Sequence, residues 1–221
     1  GVDLQKVLGP AYRYVEVQDI SSQLALIGVS LDDDALVWDC CAGSGGKTIH
    51  LADRIDGPIW LVSDRRQSIM PNLHKRMKSV TRFYASAIID LLTHDEDYLV
   101  FEKPDGHIHE LPEKEIDCII ADVPCTGSGT WARNPEHLPF FKEEKIKDFA
   151  SVQLGILKAA WKFLKPGGTL VYMTCSVYAG ENEEVVSQFT DNQKDVEIVR
   201  QKYFGLGRGG DVLYQCQLKR A

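Results

Sequence analysis

Short apolar runs alternate with longer amphipathic stretches along most of the chain. This rhythm is typical of βαβ units, in which helices cover a parallel sheet. We place seven strands, at 35–39, 59–63, 82–85, 116–122, 169–174, 196–200 and 212–218. The pattern predicts an α/β fold, doubly wound, with a mostly parallel seven-stranded sheet and helices on both faces.

Helical periodicity fills the gaps between these strands, and the predicted helices are 20–31, 47–54, 67–79, 145–164 and 181–190. Asp19 or Ser21 can cap the first helix, because both side chains accept hydrogen bonds from free backbone N–H groups. The run Lys165-Pro166-Gly167-Gly168 predicts a helix stop and a tight turn into the next strand. The last two strands predict an antiparallel pair at the C-terminal end of the sheet.

The segment 94–112 departs from this rhythm, since it holds two alternating runs around Lys103-Pro104-Asp105-Gly106. Pro-Asp-Gly is a turn signal, and we predict a surface β-hairpin inserted between the third and fourth strands. With 221 residues, 44% of them hydrophobic, the chain lies in the size range of a single domain. We expect one domain over 1–221, with 1–34 as a lead-in segment.

Nothing in the sequence indicates secretion, a membrane or a metal. A cationic stretch followed by an apolar run is missing from the first forty residues, and no apolar segment approaches the roughly 20 residues of a membrane helix. The six cysteines are scattered and lack the Cys-x-x-Cys pairs of zinc sites. We expect a cytoplasmic monomer without metal, and we interpret the missing initiator methionine as the sign of a fragment.

The formal net charge of -7 limits which partners the chain can bind. Nucleic-acid binding is largely electrostatic and needs a clustered basic surface. Two stretches could supply one, with Arg65, Arg66, Lys75, Arg76, Lys78 and Arg82 in the first and Lys158, Lys162 and Lys165 in the second. Solvated helix faces are the simpler interpretation of both. A nucleic-acid enzyme of this charge would need a local basic face or a further domain.

Two strand ends predict a site for a nucleotide-like ligand. The segment 39–48 turns the first strand into a helix, where glycines allow close backbone approach and the helix N-terminus offers free N–H groups. Its spacing matches neither a P-loop nor Gly-x-Gly-x-x-Gly. Asp64 ends the next strand about 20 residues later, where doubly wound folds place a carboxylate on ribose hydroxyls. A tight turn and a helix cap are the structural alternatives for these two features.

Two cysteines stand just beyond predicted strands, in Asp122-Val123-Pro124-Cys125 and in Thr174-Cys175-Ser176. Open α/β sheets bind ligands at their carboxyl edge, so both thiols are predicted at the binding edge, on strands that we place side by side. Three other cysteines stand among apolar residues, and we interpret them as small, buried hydrophobic side chains. These are Cys40, Cys118 and Cys216.

A thiol pair beside a methyl donor suits cytosine chemistry. C5 of cytosine is too poor a nucleophile to take a methyl group directly, but a thiolate that adds to C6 makes C5 enamine-like. Methyl transfer follows, a base removes the C5 proton and the thiolate leaves, so one difficult step becomes several easier ones. A carboxyl beside N3 would stabilise the adduct, and Asp122 is the candidate.

These motifs resemble the Sun-like (Fmu/Sun) family of S-adenosylmethionine-dependent RNA cytosine-5 methyltransferases, over nearly the whole chain. The matching segments are 39–48 (cofactor loop), 122–125 (Asp-Ala-Pro-Cys), 174–176 with 181–183 (Thr-Cys-Ser-x4-Glu-Asn-Glu), 17–23 (before the first strand) and 133–136 (basic loop). The resemblance implies a Rossmann-like class I methyltransferase fold. It also implies an RNA substrate, for which we expect ribosomal RNA, with transfer RNA as the alternative.

The resemblance further implies the role of each site residue. Cys175 would be the nucleophile, Cys125 would assist release of the methylated product, and Asp122 would act beside them. S-adenosyl-L-methionine would be held by Cys41, Ala42, Gly43, Ser44, Gly45, Gly46, Lys47, Asp64, Arg65, Asp90 and Asp122.

The chain departs from the family pattern at two places. Gly43-Ser44 replaces the usual Ala-Pro, so the fixed φ of proline is lost from the turn. After the third strand, Ser86-Ala87 stands where an acid near the adenine is common, and Asp90 is the nearest carboxylate. An N-terminal RNA-binding domain, usual in the family, would account for the acidic balance.

Two other functions stay open. A DNA cytosine methyltransferase would also use a Pro-Cys nucleophile, but it would leave Cys175 without a role. An RNA-binding ribosome assembly factor could keep the cofactor fold and have lost turnover, although every expected catalytic residue type is present.

Overall fold

The computed structural model describes residues 2–81, 84–207 and 210–221, without the side chains of Arg13 and Tyr14. Its helices are α1 (Leu4–Leu8), α2 (Ile20–Ala25), α3 (Gly46–Ala52), α4 (Met70–Met77), α5 (Glu144–Trp161) and α6 (Glu183–Asn192). Its strands are β1 (Leu36–Asp39), β2 (Ile59–Asp64), β3 (Tyr84–Ile88), β4 (Tyr98–Glu102), β5 (Ile108–Pro112), β6 (Ile116–Asp122), β7 (Leu164–Thr174), β8 (Val196–Phe204) and β9 (Leu213–Arg220). Short 3-10 turns lie at Gly9–Tyr14, Gln67–Ile69, Ser128–Thr130, Pro135–Phe140 and Ala179–Glu181.

The described strands form one sheet in the order β5-β4-β3-β2-β1-β6-β7-β9-β8. The five central strands, from β3 to β7, run parallel, and antiparallel pairs close both edges. The strand order reverses at β1, which lies between β2 and β6. Ligands bind at such a switch point, outside the carboxyl ends of the strands. The predicted doubly wound, mostly parallel α/β fold and its C-terminal antiparallel pair are confirmed.

Both faces of the sheet are buried, which explains the nearly continuous apolar runs of its central strands. Successive side chains of a strand point to opposite faces, so Val37 and Trp38 enter different cores. Trp38 packs in the core covered by α5 and α6. Val37 packs in the core covered by α2, α3 and α4. The predicted helices on both faces are therefore present.

The hairpin at 94–112 was predicted as a surface insertion, but it extends the sheet, which has nine strands rather than seven. β4 pairs with β3 at Ser86 and Glu102, in antiparallel orientation. The alternation of β4 buries Leu99 and Phe101 completely, and the Phe101 ring packs edge-on against Trp38 at 6.2 Å. A hairpin with one apolar face is stable against the core, which explains why it joins the sheet edge.

Several predicted boundaries were also wrong. The helix predicted over 20–31 ends at Ala25, because Gly28 adopts φ 93 and the chain turns there. The helix predicted over 145–164 ends at Trp161, and β7 already begins at buried Leu164, which pairs with Ile116 before the Pro-Gly-Gly run.

One further helix also begins later than predicted. The helix predicted over 181–190 is Glu183–Asn192, after the 3-10 turn Ala179–Glu181. The strand predicted over 82–85 is described only from Tyr84, since its first two positions lie outside the described residues.

The cap of α2 links the segment before β1 to the loop before β9. Asp19 is the cap, since one of its oxygens accepts from Ser21 N at 2.8 Å. Its other oxygen accepts from Asp211 N at 3.1 Å, so one carboxylate links α2 to the loop before β9. In the part of the chain that the structure describes, no helix is long and apolar enough to cross a bilayer.

Candidate active site

A cavity of about 320 Å³ opens at the switch point, outside the carboxyl ends of the parallel strands. Seven residues predicted for the site line it, namely Cys41, Asp64, Arg65, Asp90, Asp122, Cys125 and Cys175. The rest of the wall is mostly apolar and includes Cys40, Ile89, Leu91, Leu92, Val123, Pro124, Val152 and Ile156. Three carboxylates and four thiols, among them those of Cys125 and Cys175, thus share one cavity with a mostly apolar wall.

The glycine turn, residues 42–47, directly follows the lining residues Cys40 and Cys41. Ala42, Gly43, Ser44, Gly45, Gly46 and Lys47 were predicted as cofactor ligands, but they are not among the residues that line the cavity. Gly45 adopts φ 84, and a Cβ there would come within 2.7 Å of Leu73. Arg76 donates to the carbonyl of Ser44 at 2.6 Å and fixes the turn against α4.

Asp64 holds the glycine turn and a guanidinium together. Its Oδ2 accepts from Gly43 N at 2.9 Å, and both oxygens accept from the Arg66 side chain at 2.9 Å. Burial would raise the pKa of Asp64, but the bonds from Arg66 outweigh it and the pKa is lowered. Asp64 is therefore a carboxylate, as a ribose ligand requires, and Arg66 is its partner.

Lys47 reaches across the turn to the proposed catalytic carboxylate. Its Nζ lies 2.9 Å from Asp122 Oδ2 and donates to Ser22 Oγ at 3.2 Å, and its side chain is only 12% exposed. Burial acts to lower the pKa of Lys47, but the charge of Asp122 raises it overall. A buried ammonium thus stands beside Asp122.

The two strand-end thiols lie in hydrogen-bond contact, with Cys125 Sγ and Cys175 Sγ 3.2 Å apart. The hydrogen bond from Cys125 lowers the pKa of Cys175, against burial and the charge of Asp122, and Lys47 acts in the same direction. The same hydrogen bond, followed by burial, raises the pKa of Cys125. Cys175 is therefore the more readily ionised thiol of the pair, with Cys125 as its hydrogen-bond donor.

A further carboxylate outside the cavity lining, Asp39, lies buried at the end of β1 at 1% exposure. Its Oδ2 accepts from Thr48 Oγ1 at 2.6 Å, while Oδ1 has no partner among the described residues. Burial, more than any other cause, raises its pKa from 3.8 to about 7. Sequence reasoning did not assign this residue to the site, although it opens the cofactor-loop motif.

Comparison with known proteins agrees with this geometry. The family model described as 16S rRNA methyltransferase RsmB/F matches residues 26–210. The chain belongs to the RsmB/F methyltransferase family. This membership confirms the resemblance to the Sun-like family that the motifs indicated.

Relatives within the RsmB/F family include two proteins named ribosomal RNA small subunit methyltransferase B. The one from Vibrio vulnificus (strain YJ016) is 30% identical over 206 residues, which cover 93% of this chain and 45% of that protein. The one from Vibrio cholerae serotype O1 is 29% identical over 197 residues, which cover 89% of this chain and 42% of that protein. The chain spans less than half the length of these two relatives.

Solved structures share the fold of this RsmB/F chain. NSun6 from Pyrococcus horikoshii, solved with SFG, superposes with a TM-score of 0.76 at 21% identity, covering 96% of this chain and 55% of that one. A methyltransferase homolog protein from the same organism superposes with a TM-score of 0.73 at 23% identity, covering 93% and 68%. These likenesses confirm the Rossmann-like methyltransferase architecture.

Sequence reasoning left several residues of this RsmB/F site without a role. Gln153, Glu181 and Asn182 are each 0% exposed and lie in the hydrogen-bond network around the thiol loops. Glu181 and Asn182 stood in the quoted Glu-Asn-Glu motif, which was the available signal. For Gln153 the signal was a polar residue on the apolar face of a predicted helix.

The predicted basic stretches are partly neutralised. Arg66 pairs with Asp64, Arg76 pairs with Glu16 and Lys165 pairs with Asp117, so three of the cations already face carboxylates. Arg82 lies outside the described residues. Because these three positive charges are paired with carboxylates, the described residues of the two stretches do not form a strongly basic face for RNA.

The three cysteines predicted as structural are buried, at 2%, 2% and 0% exposure for Cys40, Cys118 and Cys216. Burial, above all, raises the pKa of Cys118 and that of Cys216 to about 12. Within the described ranges no group of three or more His, Cys, Asp or Glu side chains is placed to hold a metal ion.

Proposed function

We propose that residues 1–221 form the catalytic domain of an enzyme that transfers a methyl group from S-adenosylmethionine to C5 of a cytosine in RNA. The single observation that carries this proposal is the thiol pair at 3.2 Å, in one cavity with Asp122. Membership of the RsmB/F family supports small-subunit ribosomal RNA as the substrate, and thus a step of ribosomal RNA processing.

The cavity offers the hydrogen-bond acceptors and the apolar walls that S-adenosylmethionine would need. Apolar side chains such as Leu91, Val152 and Ile156 suit a planar adenine, and Asp64 and Asp90 suit ribose hydroxyls. When bound, the cofactor supplies an electrophilic methyl group. Its ribose would compete with Arg66 for the Asp64 oxygens. The glycine turn would support this ligand, and Cys41 and Arg65 would flank it.

The residues of this chain carry the rest of the reaction. The Cys175 thiolate adds to C6 of cytosine, a C–S bond forms, and the C5–C6 π electrons move toward C5 and N3. The charge that develops at N3 is negative, and Asp122, 2.9 Å from the Lys47 ammonium, would relay a proton from that ammonium to N3 and take it back when the adduct breaks down. After C5 is methylated, a base takes the C5 proton, the double bond reforms and the C–S bond breaks. The Cys125 thiol, hydrogen-bonded to Cys175, stabilises the departing thiolate.

Replacing each thiol separately tests this assignment. We expect Cys175→Ala to abolish transfer of tritiated methyl groups to transcribed small-subunit ribosomal RNA, because no nucleophile remains. We expect Cys125→Ala to accumulate a covalent protein–RNA adduct, seen as a shifted band on a denaturing gel. Cys216→Ala, on β9 and away from the cavity, is the matched control. We expect it to transfer methyl groups as the wild type does and to accumulate no adduct. An adduct that still forms without Cys175 would refute its role as nucleophile.

A further inference from the structure

A buried carboxylate connects the two cysteine loops. Glu181 is 0% exposed, and its Oε1 accepts from Thr126 N at 2.8 Å and from Gln153 Nε2 at 3.3 Å. Its Oε2 accepts from Thr126 Oγ1 at 2.6 Å and from Ser176 Oγ. Four donors therefore converge on one side chain, which satisfies a buried charge that would otherwise be costly.

The donors to Glu181 come from both sides of the thiol pair. Thr126 follows Cys125 directly, and Ser176 follows Cys175 directly. The two loops belong to different strands, and 50 positions of sequence separate their cysteines. A single carboxylate bridging both neighbours fixes how far apart the two sulfurs can lie.

A second set of contacts also joins the two loops, and in it the donors are backbone N–H groups. Gly129 N donates to the carbonyl of Cys175 at 2.8 Å, and Ser128 Oγ accepts from Val177 N at 2.9 Å. These bonds align the loops away from the residues that directly follow the cysteines.

The hydroxyls of Thr126 and Ser176 lie 3.4 Å apart, and Ser128 Oγ lies 3.3 Å from the first and 3.2 Å from the second. Glu181 accepts from both hydroxyls through shorter bonds, 2.6 Å from Thr126 Oγ1, and also from Thr126 N, so it is the strongest link between the two loops.

Electrostatics gives the carboxylate a second effect. No cation lies within ion-pair distance of Glu181 in the described part of the chain, so its charge is compensated by hydrogen bonds only. The hydrogen bond to Cys175 is the largest cause of the raised pKa of Cys125, and the negative charge of Glu181 raises this pKa further. Lys47 lowers the pKa of Cys175 on the other side of the pair.

We propose that Glu181 is a positioning residue of the proposed reaction, which ties the two cysteine loops together and keeps the sulfurs within hydrogen-bond distance. The inference rests on the proposed function, because that reaction requires both thiols beside the same cytosine ring. Its geometric part can be tested without RNA or cofactor.

Phenylarsine oxide provides that test, since one trivalent arsenic bonds to two neighbouring thiols. All variants carry Cys41→Ala, which removes the thiol next to Cys40. We expect Glu181→Ala to weaken arsenical binding by about tenfold, as loss of one buried hydrogen-bonded charge would. Glu181→Gln keeps one acceptor oxygen, and we expect its affinity for the arsenical to lie between those of the wild type and Glu181→Ala. Glu184→Gln, exposed on the next helix, is the matched control and leaves binding unchanged.

Methyl transfer provides the second readout, measured with Cys41 intact. We expect Glu181→Gln to lower kcat by about tenfold with KM for RNA and cofactor unchanged, because the thiol geometry and not the binding is altered. Should Glu181→Ala fail to fold, Thr126→Val takes its place, because it removes the hydroxyl bond to Oε2 with the longer contacts to Ser128 and Ser176 and leaves the Thr126 N bond to Oε1. Wild-type arsenical binding in the folded variants would overturn the inference. If Glu181→Ala binds the arsenical more weakly but the wild type transfers no methyl groups, the geometric role of Glu181 stands and the proposed function is refuted.

Discussion

Asp39 makes the stability of this domain depend on pH in a direction that the structure defines. Its carboxyl is 1% exposed, and burial raises its pKa from 3.8 to about 7. A group whose pKa is raised on folding stabilises the folded state fully below its unfolded pKa. That contribution is lost as the pH rises toward the folded pKa, so the domain becomes less stable between about pH 4 and about pH 7.

The size of the effect follows from the shift. A rise of about three units corresponds to roughly 4 kcal/mol over the whole range, of which roughly 3 kcal/mol falls between about pH 5 and about pH 8. Asp122 adds to the rise, while Thr48 and Lys47 oppose it. Asp39→Asn keeps an acceptor for Thr48 and never ionises, so this part of the pH dependence should vanish.

Urea unfolding at about pH 5 and about pH 8, followed by the fluorescence of buried Trp38 and Trp60, measures the difference between wild type and Asp39→Asn. We expect wild type to lose roughly 3 kcal/mol relative to the variant on going to the higher pH. Asp56→Asn, at an exposed turn, is the control and should follow wild type. An Asp39→Asn variant with the same pH slope as wild type would refute the assignment.

Two further substitutions test the thiol loops. Gly129→Ala would place a Cβ 2.1 Å from the carbonyl of Val212 and 2.9 Å from that of Cys175, and we expect a loss of about 3 kcal/mol in urea unfolding; a loss below about 0.5 kcal/mol would contradict the close packing. Lys47→Met removes the ammonium that lowers the pKa of Cys175, and we expect alkylation of this thiol by iodoacetamide at neutral pH to slow by about tenfold. Unchanged alkylation would show that Lys47 acts on Asp122 alone.

Local sequence pattern was enough to place four candidate site residues at one edge of the sheet. Asp64, Asp122, Cys125 and Cys175 all follow apolar runs, and the carboxyl ends of parallel strands share one edge. The cavity indeed brings these four together with Asp90. The prediction succeeded because strand ends are encoded by short runs of neighbouring residues.

The same reasoning was less accurate where a side chain had a choice of partners. The sequence did not indicate that the ammonium of Lys47 pairs with Asp122, 75 positions later in the chain, while its contact with the cofactor stays a prediction. Arg66 was read as part of a basic stretch, yet it is bound to Asp64. The hairpin was read as a surface insertion, yet Leu99 and Phe101 anchor it in the core.

The sequence by itself determined the α/β rhythm, the family and the two cysteines, because periodicity and motif spacing are local properties of the chain. Only the tertiary structure decided that the sulfurs of Cys125 and Cys175 meet at 3.2 Å and that Glu181 bridges their loops. It also decided that Asp39 is buried deeply enough to titrate near neutrality. These properties depend on distance and exclusion of water between residues far apart in sequence, and no local pattern records them.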